Sequence, residues 1–447
     1  MKQVANLCTT FCLICMVAPT HAQQLEYAIL ELAKDGLGHC INEQSVCGGY
    51  VDFETQSNWP GIWTWEQGLN QLPLGDAKGG SANDINNNNQ IVGYYWPETP
   101  YVGRAYLYEQ GVLTDLGTFG GDRSSARAIS DSGVVVGSAL DADGYGHWLP
   151  FAYEGGVMRE LDTPIKRGGA HDVNNQGIVV GYSYPNEYRQ RACLWTPDGR
   201  LHWLTGLNGN GAVARGINDN NVIVGSSFSD GYSTGHAVVW LNGKVHDIHS
   251  ADNWPDSAAY AINSCGQVVG RKSNDGIETV AFIYERGHGM RLADVLLPPR
   301  SRWRLSTADD INDHGQIVGA ATPHTDRFDF SMYLLTPVYP SFDLTQFSPG
   351  IPGQMSTIEA HNVPPGATVH FLGARWGGGT LIPTCEVTKN ALQLEDPRQL
   401  GTAVADSNGV ATIQGVIPEK WAGREILFQA FVRETCEISN LVVQTFE

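Results

Sequence analysis

A motif of nine residues, Ile85-Asn86-Asn87-Asn88-Asn89-Gln90-Ile91-Val92-Gly93, recurs seven times along this chain and limits what it can fold into. The other copies start at Ile41, Ile129, Val173, Ile217, Ile262 and Ile311, spaced by 44, 44, 44, 44, 45 and 49 residues. Every copy ends in glycine: Gly49, Gly93, Gly137, Gly181, Gly225, Gly270 and Gly319. A period of this length with short apolar runs belongs to a propeller or a solenoid, in which each unit buries its faces against its neighbours.

Each repeat follows the same pattern. A short run such as Ser81-Ala82-Asn83-Asp84-Ile85 leads into a tight turn, where Asn can bond its own backbone and Gly or Asn accepts the left-handed conformation. An apolar strand follows, such as Ile178-Val179-Val180, whose continuous apolarity means burial on both faces. A third strand ends in an aromatic (Trp65, Tyr108, Tyr153, Trp195, Trp240, Tyr284), and a short fourth strand closes the unit. Four strands per repeat predict an all-β, seven-bladed β-propeller over residues 23–337. The phase supports ring closure. The chain supplies a surplus fourth strand at Tyr27-Ala28-Ile29-Leu30-Glu31-Leu32, and the seventh repeat stops after its third strand at Met332-Tyr333-Leu334-Leu335.

Residues 1–22 have the form of a signal peptide: Lys2, an apolar stretch from Leu7 to Val17, and the small-x-small site Thr20-His21-Ala22. Export to the extracellular space, the cell surface or the periplasm is expected, and with it disulfides. A turn over residues 42–45 would set Cys40 opposite Cys47, and Cys385 and Cys436 share the C-terminal segment, so both pairs are expected to bridge. Cys193, in place of a core aromatic, is expected to remain a thiol. Residues 338–345 break the period and suggest a linker. Residues 346–447 alternate β-rich runs with turns such as Asp406-Ser407-Asn408-Gly409, the pattern of an immunoglobulin-like β-sandwich.

The repeats resemble the HAF family of extracellular repeats of secreted bacterial proteins. The resemblance rests on His236-Ala237-Val238-Val239-Trp240, its variants Ala281-Phe282-Ile283-Tyr284 and Arg104-Ala105-Tyr106-Leu107-Tyr108, and Asp115-Leu116-Gly117-Thr118-Phe119-Gly120-Gly121. The C-terminal segment is similar to the β-sandwiches that end various secreted bacterial proteins. The resemblance implies the architecture and secretion, and no reaction.

A net charge of -19 argues against a nucleic-acid partner, whose phosphates would be repelled. No apolar run of the mature chain is long enough to span a bilayer. The sequence holds no HExxH, no GxSxG and no phosphate-cradling loop, so neither a cofactor nor a metal is called for. The Asp143-Gly144, Asp230-Gly231 and Asp275-Gly276 pairs suit hairpin turns.

Two features remain for function. The variable connections carry Trp59, Trp96, Tyr101, Tyr145, Trp148, Tyr188, Tyr232 and Trp254, flat side chains that suit sugar rings or a protein partner and equally suit packing of the loops. Two positions before each motif stands a variable residue with small neighbours: His39, Asn83, Arg127, His171, Arg215, Tyr260 and Asp309. One per repeat would ring the central channel, either as a ligand-binding mouth or as a solvated lining. In it the arginines could take a carboxylate or sulfate. The expected function is binding or adhesion to a glycan or an extracellular protein. The alternative is a hydrolase or lyase on an extracellular polysaccharide, which would require paired acids at the mouth.

Overall fold

The computed structural model describes residues 26–447 apart from 54–55, 98–101, 143–145, 229–233, 251, 275–277, 325–328, 383–384 and 386–390. The expected signal peptide, the three Asp-Gly pairs and the aromatics Tyr101, Tyr145 and Tyr232 lie outside the described residues. The described chain is all-β and propeller-like. Among the described residues seven four-stranded antiparallel sheets follow one another, the first six each built from one repeat with strands in sequence order. The first sheet, for example, runs Gly36–Ile41, Cys47–Phe53, Gln56–Thr64 and Gly68–Gln71.

The seventh sheet departs from that order. Its first three strands, Trp303–Ile311, Ile317–Pro323 and Ser331–Val338, come from the last repeat. Its outer strand is Glu26–Lys34, paired antiparallel with Ser331–Val338 from Tyr27↔Pro337 to Lys34↔Ser331. Side chains of the seventh and first sheets meet in one core cluster, which contains Met332 and Leu334 together with Ile41, Val51 and Trp63. The sheets therefore form a closed circuit. The surplus strand and the missing strand complete each other, so no edge is left unpaired where the circuit closes.

The motif's sequence follows from the turn it makes. In the second sheet the Asn86 carboxamide oxygen accepts the N–H groups of Asn88 and Gln90 at 3.0 and 2.9 Å, which closes the turn. Its amide donates to the Ser130 carbonyl of the next sheet at 3.0 Å. The fifth motif position holds positive φ, through Ser45 (61°), Asn89 (57°), Gly133 (87°), Gly177 (74°), Asn221 (60°), Gly266 (80°) and Gly315 (74°). This is the left-handed region, which explains the preference for Gly and Asn.

Three sequence expectations require correction. Cys40 and Cys47 do not bridge. The register sets Ile41 opposite Cys47 and Cys40 opposite Gly48, because a bulge lies between Gly38 and Cys40. Cys40 packs toward the second sheet with Ala82 and Tyr106, whereas Cys47 packs with Ile41 and Trp63. In the first sheet it is Trp63, not Trp65, that stands opposite Cys47 at the end of the third strand. The stretch read as a linker is built into the fold: Phe342 is buried and Asp343–Leu344 pairs with Met355–His361. Cys193 is a buried thiol, and Cys385 and Cys436 form a disulfide with Cα atoms 5.4 Å apart.

The C-terminal segment forms a three-stranded sheet, a larger sheet centred on Thr368–Ala374 and Arg424–Val432, and the hairpin Trp376–Leu381 with Ala391–Glu395. The first two enclose a core of their own around Phe371, Phe428 and Phe446. The hairpin lies on the closing strand Glu26–Lys34. Leu30, Leu334, Leu392, Leu394 and Leu427 share one apolar cluster. A Cβ on Gly379 would come within 2.3 Å of the Ile29 carbonyl, so the backbones are in direct contact there. Arg302 pairs with Glu395 at 2.6 Å and Arg300 stacks on Trp376 at 5.3 Å.

Candidate functional site

All seven residues of the predicted ring sit at β-bulges. The register shifts between Gly38 and Cys40, Ala82 and Asp84, Ala126 and Ala128, and Ala170 and Asp172, and likewise between Ala214 and Gly216, Ala259 and Ala261, and Ala308 and Asp310. His39, Asn83, Arg127, His171, Arg215, Tyr260 and Asp309 are thus the extra residues, unpaired and re-aimed, as bulges beside functional sites are. The residue before each bulge is small because it is fully enclosed; Ala82, Ala126, Ala170, Ala214, Ala259 and Ala308 have no exposed surface.

The bulge also explains the glycine that ends every motif. A Cβ there would lie 1.9–2.2 Å from the carbonyl oxygen two residues before the bulge, for example 1.9 Å from Ser81 O at Gly93 and 2.0 Å from Gly169 O at Gly181. The innermost strand bows outward onto that glycine. Recurring Gly and variable ring residue are two sides of one distortion.

The ring side chains converge. The charge of Arg127, in the third sheet, is felt by His39 in the first, His171 in the fourth and Arg215 in the fifth. His171 donates through Nδ1 to the Ala214 carbonyl at 3.0 Å, which leaves Nε2 as the acceptor. Burial, with Arg215 and Arg127 nearby, pushes its pKa down to about 3, so the ring is neutral at physiological pH. His39 contacts Ser81 Oγ at 3.1 Å and is lowered to about 4, again by burial first. Asn83 donates to the Ala126 carbonyl at 2.7 Å. Arg215 lies over the Tyr260 ring at 5.6 Å, and Asp309 accepts from the Thr307 hydroxyl.

A second layer escaped the sequence reading. In three repeats the residue after the motif glycine meets a ring residue: Tyr50 meets His39 edge-on at 5.6 Å, Tyr182 lies 5.4 Å from His171, and Arg271 lies 5.9 Å from the Tyr260 ring. Its signal was present, since this position is Tyr50, Tyr94, Tyr182 or Arg271 in four repeats and Ser138, Ser226 or Ala320 in the others. From Tyr182 the lining continues outward into a cavity of about 350 Å³ bordered by His147, Trp148, Arg167 and Tyr184. Arg167 stacks on Tyr184 at 4.3 Å.

Of the predicted rim aromatics, Trp148 (37% exposed) and Tyr188 (84%) are open to solvent. Trp59 is a core residue whose indole donates to the Leu72 carbonyl at 2.7 Å. Trp254 is half-buried beside Arg304, and Trp96 packs onto Gly79.

On the side of the motif turns, a cavity of about 220 Å³ is lined by residues of all seven motifs. The carboxylates nearby are occupied. Asp84, Asp172 and Asp310 each accept the N–H of the following residue and that of the next sheet's isoleucine: Ile129 at 2.7 Å, Ile217 at 2.7 Å and Ile41 at 2.8 Å. Among the described residues no group of three His, Cys, Asp or Glu is placed to hold a metal ion. No helix among them is long and apolar enough to cross a membrane.

A family model described as "Protein of unknown function (DUF3466)" matches residues 155–334, from the turn before the last strand of the third sheet into the seventh. No curated protein matches the chain. Among solved structures, it is similar to TolB from Acinetobacter baumannii at 11% identity, covering 48% of this chain and 52% of that one, with a TM-score of 0.33. It is also similar to Pyrococcus horikoshii acylaminoacyl peptidase at 11% identity, covering 72% and 56%, with a TM-score of 0.42. The chain spans about half the length of these two structures, and no activity carries over from either.

Proposed function

We propose that this protein is an exported binding protein: a seven-bladed β-propeller of HAF-type repeats that recognises a glycan through its variable-loop face and the bulge-borne ring behind it. The observation that carries the reading is the placement of all seven variable residues at bulges, beside tyrosines and an open cavity edged by Trp148 and Tyr184. A rigid rim of aromatic faces with polar groups among them is the surface on which sugar rings bind. The C-terminal segment, an immunoglobulin-like sandwich in this reading, clamps the closing strand. The Cys385–Cys436 disulfide fits an oxidising compartment.

Binding is favoured over hydrolysis by the carboxylates. Asp309 is the single acid among the seven ring residues, and Asp84, Asp172 and Asp310 have both oxygens engaged by backbone amides. A glycosidase needs two acids flanking the scissile bond. The test is incubation of the full-length mature protein with a broad glycan panel, retention being read by array and products by mass spectrometry. Retention without new products is expected. New products would replace this reading with an enzymatic one, and absence of both would turn the search to a protein partner.

A further inference from the structure

Three guanidinium groups stand around the ring, one of which, Arg271, shares its surroundings with the Asp309 carboxylate. Arg127 and Arg215 are bulge residues, and Arg271 follows the sixth motif's glycine. None of them makes an ion pair among the described residues. The Nε of Arg215 is buried and has no hydrogen-bond partner among the described residues. A buried donor left unmade is costly, and it is also what a ligand acceptor would satisfy. The three charges repel one another: Arg271 and Arg127 both act to lower the pKa of Arg215, which burial lowers most. All of this occurs in a chain of net charge -19, where the bulk of the surface would turn anions away.

Around these groups stand donors and flat rings. Tyr260 lies between Arg215 and Arg271 at 5.6 and 5.9 Å, and Tyr182 feels Arg127, Arg167 and Arg215 together. Arg167 carries the positive lining out to the cavity beside Trp148. We infer that the ring is an oxyanion site, in which Arg127, Arg215 and Arg271 hold a carboxylate or sulfate of an acidic saccharide whose neighbouring sugar lies against Tyr182, Tyr184 and Trp148. Guanidinium forks match the planar or trigonal oxygens of such groups, and an anion would relieve the repulsion among them. The inference rests on the glycan-binding reading and narrows its ligand to the acidic class.

The test is calorimetric titration of the full-length mature protein at constant ionic strength. The ligands are a uronate-bearing oligosaccharide, a sulfated one, a neutral one of equal length, and inorganic sulfate. One or both acidic saccharides should bind at least roughly tenfold more tightly than the neutral one. Arg127→Gln and Arg271→Gln, whose side chains are exposed, should each weaken acidic binding by roughly tenfold or more, a loss larger than any they cause in neutral binding. Equal affinity for acidic and neutral saccharides, with no effect of either substitution, would overturn the inference and leave the glycan reading standing. Binding of inorganic sulfate alone would keep an anion site and remove the saccharide from both. Which acidic saccharide binds assigns the oxyanion.

Discussion

The side-chain amide of Asn312 donates to the backbone carbonyl of Asn42 at 3.1 Å, joining the last motif to the first across 270 residues of chain. The same bond links Asn42 to Asn86, Asn86 to Ser130, Asn174 to Asn218, Asn218 to Asn263 and Asn263 to Asn312. The chain of motif bonds is interrupted at Ser130, whose hydroxyl caps its own turn through the Val134 N–H. Asn312→Ala removes this link and the acceptor for the Gln316 N–H, and should lower stability by about 1–3 kcal/mol in urea unfolding. Ser130→Asn would complete the circuit and should raise it by about 0.5–1.5 kcal/mol.

The motif glycines test the account of the bulges. Gly181→Ala would place a methyl 2.0 Å from the Gly169 carbonyl and should abolish or severely weaken folding. Gly415, in a C-terminal strand, has nothing within 4 Å of such a methyl, and Gly415→Ala should leave stability within about 0.5 kcal/mol. Equal melting temperatures for the two variants would contradict the bulge as the cause of the glycine pattern.

The pH dependence of two substitutions should run in opposite directions. Burial raises Asp310 from 3.8 to about 7, so its contribution to stability is full below pH 3.8 and lost as the pH rises toward 7. The cost of Asp310→Asn should therefore be larger at pH 5 than at pH 8. Burial lowers His171 from 6.5 to about 3, so its contribution is full above pH 6.5 and declines as the pH falls. The cost of His171→Gln should be larger at pH 8 than at pH 5. Melting curves of wild type and both variants at the two pH values decide the signs.

The C-terminal segment should prove necessary to the sheet circuit. Its Leu392, Leu394 and Leu427 cover Leu30 and Leu334 of the closing sheet. A chain ending at residue 337 should expose that surface and aggregate or melt well below the full protein. Reduction of Cys385–Cys436, which closes a loop of 51 residues, should cost about 4 kcal/mol by loop entropy, measured as a shift in denaturant midpoint.

The repeat and its phase were legible because a motif recurring at one spacing reports a local turn, and local turns are encoded locally. The ring was legible for the same reason, as a variable position amid small ones. The bulge itself was not, since register depends on which carbonyl the facing glycine admits. That one shift turned Cys40 away from Cys47 and set Ile41 there instead. Arg271 and Tyr182 were missed because their relation to the ring runs across strands. The docking of Trp376–Leu381 on Glu26–Lys34 joins distant stretches with no shared pattern.

The most direct test of the recognition site is retention on an acidic-glycan surface of wild type, Arg127→Ala, and the double variant Arg127→Ala with Arg215→Ala, each with its melting temperature. The account predicts a retention loss of roughly tenfold for the single variant and about a hundredfold for the double, with the melting temperature of Arg127→Ala unchanged. Undiminished retention by both would show that the bulge ring is not where the ligand binds.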